Sequence, residues 1–214
     1  NPTLDTRAIV GDDPSDFTQT SYGNNDVEGP DAMHGTHVAG IIGATRNNNI
    51  GVDGVADNIQ IMSVRTVPDG DERDKDVALA IRYAVNNGAD VINMSFGKGY
   101  SPYQQQVYEA IKFAELKGVL LVHAAGNDAS DIDSVKNFPT AHYELPKGTS
   151  FNNFLTIGAS TYMKKEISAS FSNYGQKNVD VFAPGYKIYA TVPDNKYKNL
   201  QGTSMAAPMV TGVA

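Results

Sequence analysis

The 214-residue chain has no cysteine, so neither a disulfide framework nor a thiolate metal site can form, whatever the redox compartment. No stretch approaches the roughly 18 apolar residues of a membrane-spanning helix. The start, "NPTLDTRAIVGDDP", lacks the basic segment and apolar run of a secretory signal, so any export signal is expected outside these residues. An excess of positive charge is also missing. The net charge is -7, with Asp and Glu spread along the chain, which gives no electrostatic reason to bind nucleic acid or an anionic membrane surface. No internal repeat or low-complexity linker divides the sequence. At this length, with 41% hydrophobic residues, one domain with one sizeable core is expected.

Short apolar runs recur instead: 59–67 (IQIMSVRTV), 89–96 (ADVINMSF), 118–127 (GVLLVHAAGN), 153–160 (NFLTIGAS) and 179–185 (VDVFAPG). Each is rich in β-branched residues and bounded by Gly, Asn or Asp, as strands buried on both faces are. Two helical patterns lie between them: Val77, Ala80, Ile81, Ala84 and Val85, then Tyr103, Val107, Ala110, Ile111 and Ala114 before Gly118. This alternation predicts an α/β fold, a mostly parallel sheet with helices on both faces. Ligands of such sheets sit beyond the carboxyl ends of the strands, which directs attention to the loops there. The charged stretch 68–76 (PDGDERDKD) reads as a solvated helix start; a second reading has Asp69, Asp71 and Glu72 favouring basic residues in a bound peptide. The segment 127–133 (NDASDID) lacks the Gly and distal Glu of an EF-hand and reads as a polar loop.

Three sites carry candidate chemistry. In "GTSMAAP", Gly202 permits a tight turn, and the small residues after Ser204 begin a helix whose free N–H groups favour a developing anion. Ser204 is thus either a nucleophile or an ordinary N-cap. Pro208 has no N–H to give the Ser204 carbonyl, so that carbonyl is expected to bond elsewhere or the turn to be irregular. In "HGTHVAGIIGA", His34 opens a helical pattern, as a helix-end hydrogen bonder or a catalytic base, and His34 with His37 could also form a metal pair. The absence of HExxH, of thiolates and of a suitably spaced acid argues against metal. In "VHAAGN", Asn127 ends a buried strand, as a turn residue or as a rigid side-chain donor to an oxyanion.

Taken in order, "HGTHVAG", "NMSFG", "HAAGN", "FSNYG", "DVFAPG" and "GTSMAAP" resemble the subtilisin-like serine proteases (subtilases, peptidase S8) over nearly the whole chain from about residue 30. The 170-residue separation of His34 and Ser204 is also like that family. The resemblance implies a subtilisin-like three-layer sandwich and an endopeptidase acting on polypeptides through an acyl-enzyme. By motif, Ser204 resembles the nucleophile, His34 the general base and acid, and Asn127 the oxyanion donor, while His37 belongs to a packing face. Ser95, Phe96 and Gly97 resemble the edge that pairs with substrate backbone; Ala124, Ala125 and Gly126 resemble a wall of the P1 pocket. Location outside the cell or in its envelope is a further expectation from the resemblance.

The family orients its histidine with an Asp on an early strand ending in D-[ST]-G, and no such run precedes His34. Asp5-Thr6 stands 29 positions upstream, but Arg7 replaces the Gly; Asp12, Asp13, Asp16, Asp26 and Asp31 fit less well. The Asp strand is therefore expected upstream of residues 1–214, with terminal helices downstream, and the isolated segment is expected to be nearly inactive. Two alternatives stand beside the protease: a catalytically inactive peptide-binding module and a metal hydrolase using His34 and His37. No cofactor is required by the mechanism. The loop 45–56 (TRNNNIGVDGVA) resembles one that binds structural calcium, with Asn48 the nearest match, but no metal residue is assigned.

Overall fold

The computed structural model describes residues 6–14, 16–68, 70–143 and 148–214. In chain order the elements are α1 (Thr6–Val10), α2 (Met33–Gly43), α3 (Asp74–Asn86), β1 (Val91–Met94), α4 (Gln104–Leu116), β2 (Leu120–Ala124), β3 (His142–Tyr143), β4 (Thr149–Ser150), β5 (Phe154–Ser160), β6 (Val181–Pro184), β7 (Ile188–Val192), β8 (Lys196–Leu200) and α5 (Thr203–Thr211). A four-stranded sheet runs β1-β2-β5-β6, every pair parallel, with Ile92 beside Leu121, Val122 beside Leu155 and Ile157 beside Val181.

Both faces of this sheet are buried, because successive side chains point to opposite sides. Met94, Leu121 and Phe154 join Val77, Ile81, Val107 and Ile111 from α3 and α4 on one face. Val122, Ile157 and Ala159 join Ala206 and Ala207 of α5 on the other. The two helical patterns thus become α3 and α4, each with its apolar stripe on the sheet. At the end of α4, Gly118 takes φ of 73°, and its N–H reaches the Glu115 carbonyl while Val119 reaches that of Ala114, closing the helix into β2.

Four of the five expected strands form, and the one at 59–67 does not. No backbone hydrogen bond joins that segment to a described residue, and Ile59, Ile61, Met62, Val64 and Val67 are exposed. A strand exists only through its ladder, so an apolar run without a paired neighbour remains extended coil. The solvated helix start at 68–76 is also corrected: Glu72, Asp74 and Lys75 are buried. Asp74 is paired with Lys98 at 2.8 Å and accepts the Tyr103 N–H at 2.7 Å, while Lys75 pairs with buried Asp12, which Arg7 also binds. Of the acidic residues suggested for recognising a basic peptide, Asp71 is exposed, Glu72 is buried with its carboxyl pushed toward the neutral form by desolvation, and Asp69 lies outside the described residues.

The hairpin β7–β8 was not among the expected elements. Its turn, Pro193-Asp194-Asn195, puts both Asp194 and Asn195 at positive φ, a conformation Asp and Asn tolerate. Helix α2 packs on this hairpin, and His37 explains why: its buried Nε2 donates to the carbonyls of Ile188 at 3.1 Å and Lys198 at 3.0 Å, one on each strand.

Candidate active site

Helix α5 places Ser204 in its first turn, half-buried, immediately after Gly202 at φ of 150° and Thr203. Strand β2 delivers Ala124, Ala125, Gly126 and Asn127 to the same place, since the sheet's carboxyl ends converge there. Thr203 joins them. Its N–H donates to Asn127 Oδ1 at 2.8 Å, its hydroxyl donates to the same oxygen at 3.1 Å, and that hydroxyl accepts the Gly126 N–H at 3.0 Å.

With Asn127 Oδ1 doubly engaged, the amide is held with Nδ2 outward, and no described residue accepts from Nδ2 or from the Ser204 N–H. These two donors flank one small space. A methyl group placed on Gly202 would lie 3.5 Å from Asn127 Nδ2 and 3.7 Å from Ser204 N, so the glycine keeps that space open as well as allowing the turn. Two N–H donors bordering one space at a helix N-terminus are of the kind that can stabilise a negative oxygen.

The backbone around Ala125 is fixed by side chains that the sequence motifs did not single out. Its carbonyl accepts from Asn137 Nδ2 at 3.0 Å and Asn173 Nδ2 at 2.9 Å, and Asn173 also accepts the N–H groups of Asp128 and Ser130. Asn173 lies in the quoted "FSNYG" and Thr203 in "GTSMAAP", so a signal existed for both; nothing local marked Asn137.

Ser95, Phe96 and Gly97 follow β1 directly. The Ser204 hydroxyl donates to the Ser95 carbonyl at 3.2 Å. The Phe96 carbonyl accepts from His123 Nε2 at 2.8 Å, and Lys98 beyond them forms a two-bond antiparallel bridge with Phe138. His123 is fully buried, and desolvation pushes its pKa down to about 4 against the opposing effect of that hydrogen bond.

His34 stands at the start of α2, which packs beside α5 through Val38, Ile41, Met205 and Met209. Its side chain is exposed, and among the described residues none hydrogen-bonds to it. Partial desolvation and nearby His37 hold its pKa below the ordinary imidazole value, with Asp31 opposing them. The structure therefore bonds Ser95 directly to Ser204, brings Asn127 and Gly126 beside it through Thr203, and leaves His34 without a hydrogen bond to Ser204. Asp12 is tied to Arg7 and Lys75, and Asp5 lies outside the described residues.

His37 Nε2 is committed to two carbonyls and the ring is fully buried; among the described residues no group of three His, Asp or Glu could hold an ion. Asn48 uses its Oδ1 to accept the Ile50 N–H at 2.9 Å within its own turn.

A parallel α/β sheet with a helix-start serine and an asparagine side chain at its carboxyl edge describes the class of protein. Residues 6–214 match the sequence profile of the Subtilase family (peptidase S8), and the chain belongs to that family. It is 39% identical over 215 residues to the thermophilic serine proteinase of Bacillus sp. (strain AK1), covering all of this chain and 48% of that protein. It is 36% identical to the major intracellular serine protease of Bacillus subtilis (strain 168), covering 99% of this chain and 62% of the relative. The crystal structure of a cold-adapted subtilisin-like serine proteinase superposes with a TM-score of 0.68 at 34% identity, covering 92% of this chain and 64% of that one. The chain thus spans about half to two thirds of the length of these relatives.

Proposed function

We propose that this protein is a serine endopeptidase that cleaves polypeptides through an acyl-enzyme. The observation that carries the reading is the pair of unpartnered donors, Asn127 Nδ2 and Ser204 N–H, which border one space at the residue that bears the Ser204 hydroxyl. In this mechanism His34 takes the Ser204 proton as Oγ attacks a substrate carbonyl, and the carbonyl oxygen, now negative, is held by the two donors. His34 returns the proton to the leaving amine, and water activated by His34 then releases the acyl group. Ser95, Phe96 and Gly97 pair with the substrate backbone, and Ala124, Ala125 and Gly126 border the space for the side chain next to the cut.

The carboxylate that orients His34 is proposed to come from residues outside those described. Without it the imidazole can adopt the wrong tautomer; in subtilisin, from which the magnitude is taken, loss of the Asp lowers kcat by roughly 3 × 10⁴. The inactive peptide-binding alternative is disfavoured by the kinship with named proteinases. Membership of the family does not fix the compartment, since one relative is named as intracellular; location outside the cell is proposed from the resemblance and is checked by fractionating cultures.

The deciding experiment is labelling of the intact protein with a fluorophosphonate. Modification at Ser204 that disappears in Ser204→Ala supports the reading, and a protein that hydrolyses no peptide library and takes no label overturns it. Asp5→Asn is expected to leave labelling unchanged; a collapse of labelling in that variant would place the orienting carboxylate at Asp5.

A further inference from the structure

Pro208 lies in the second turn of α5 and has no N–H for the Ser204 carbonyl four residues back. That carbonyl is nevertheless bonded: the Ser95 hydroxyl donates to it at 2.8 Å. Ser95 Oγ in turn accepts from Asn93 Nδ2 at 2.9 Å, and Asn93 Oδ1 accepts from the Thr211 hydroxyl at 3.0 Å. The chain of bonds runs one way, Thr211 to Asn93 to Ser95 to the Ser204 carbonyl: each hydroxyl has one hydrogen to give, and the Asn93 amide gives one of its two to Ser95 Oγ.

Thr211 Oγ1 also lies 3.2 Å from the carbonyl of Ala207. A hydroxyl has one hydrogen, and the Ala207 carbonyl sits in the helix ladder, so the Asn93 oxygen is the acceptor in greater need of it. Only with the Asn93 amide in this orientation is Ser95 left as a donor. The same Ser95 is the residue whose backbone carbonyl receives the Ser204 hydroxyl, so Ser95 and Ser204 are bonded reciprocally. Of the two bonds, that from the Ser204 hydroxyl must break when its proton leaves, while that from the Ser95 hydroxyl involves no reacting atom and persists throughout.

From this geometry we infer that Ser95 is a positioning residue for the nucleophile: its hydroxyl replaces the amide hydrogen that Pro208 lacks, and Asn93 and Thr211 aim that hydroxyl. The inference rests on the proposed role of Ser204. The arrangement ties the nucleophile's backbone to the end of β1, which as the proposed substrate edge would fix the attacking oxygen relative to the scissile carbonyl, where small displacements cost rate.

The test is a mutant cycle read by fluorophosphonate labelling and peptide hydrolysis in the intact protein. Ser95→Ala is expected to lower the labelling rate and kcat roughly tenfold with KM little changed, because substrate pairing uses the Ser95 backbone. Ser95→Thr, which keeps a hydroxyl, is expected to restore most of that loss. Introducing Pro208→Ala supplies the missing N–H, so in that background the Ser95→Ala effect should shrink to about twofold. An undiminished Ser95→Ala effect in the Pro208→Ala background, or a loss carried wholly by KM, overturns the inference. Should Ser95→Ala fail to fold, Thr211→Val decides: a slower labelling rate supports the relay and an unchanged one refutes it. A wild-type protein that takes no label and cleaves no peptide would instead refute the protease reading itself.

Discussion

The two sides of this molecule are built to different standards. On the side of β2, β5 and α5, apolar side chains are buried on both sheet faces, and Thr203 is hydrogen-bonded to Asn127 Oδ1 and to the Gly126 N–H. On the side of residues 59–67, five large apolar side chains face solvent and the backbone has no ladder, while His34 has no hydrogen-bonded partner among the described residues. The contrast teaches that the surroundings of Ser204 and Asn127 are set by the sheet and α5, whereas among the described residues no hydrogen bond orients the His34 side chain.

Substitutions can sharpen that contrast. Ile157→Ala, at a fully buried position between the sheet and α5, is expected to cost about 2–5 kcal/mol in unfolding free energy by urea titration. Asn127→Ala is expected to lower kcat by about 10²–10³ with KM nearly constant, a magnitude taken from the equivalent loss in subtilisin; an unchanged kcat would remove Asn127 from the oxyanion site. His123 gives a pH-dependent test. Its folded pKa of about 4 lies below the ordinary value of about 6.5, so the unfolded chain binds the extra proton first. The stabilisation is full above about pH 6.5 and is lost as the pH falls toward 4, by up to about 3 kcal/mol. Urea midpoints between pH 7 and 4.5 should show this fall, and His123→Gln should flatten it. Val64→Thr, on the exposed side, is expected to shift stability by less than about 0.5 kcal/mol; a loss as large as that of Ile157→Ala would erase the distinction.

Much of this architecture was legible in the residues. Helices α3 and α4 and strands β1, β2, β5 and β6 follow from periodicity, because local pattern and burial agree there. Residues 59–67 carry the same apolar signature, but a strand's existence is settled by a neighbour that a local pattern does not report. The buried charges at Glu72, Asp74 and Lys75 were read as a solvated face because a mixed-charge run looks alike whether it meets water or its own counter-ions. The hairpin has a local turn signal at Pro193-Asp194-Asn195, but its second strand, Lys196–Leu200, is mostly polar and carries no apolar alternation. In the site, Ser204 and Asn127 stood out through their glycines and small neighbours. Thr203 and Asn173 lie within motifs that stood out, but the groups they bond, at Gly126, Asn127 and Ala125, are distant in sequence, and nothing local marks Asn137. Pro208 did foretell something local, namely that the Ser204 carbonyl would bond outside its helix, and Ser95 is where that bond leads.

The His37 bridge to both strands of β7–β8 has a practical corollary. The hairpin tip is exposed at Asp194, while the strands behind it are fastened to the helix that begins at His34. In a chain with no native thiol, Asn195→Cys would accept a single fluorophore at a turn where added groups are well tolerated. Such a label would serve as an optical gauge of whether α2 and the hairpin move as one piece.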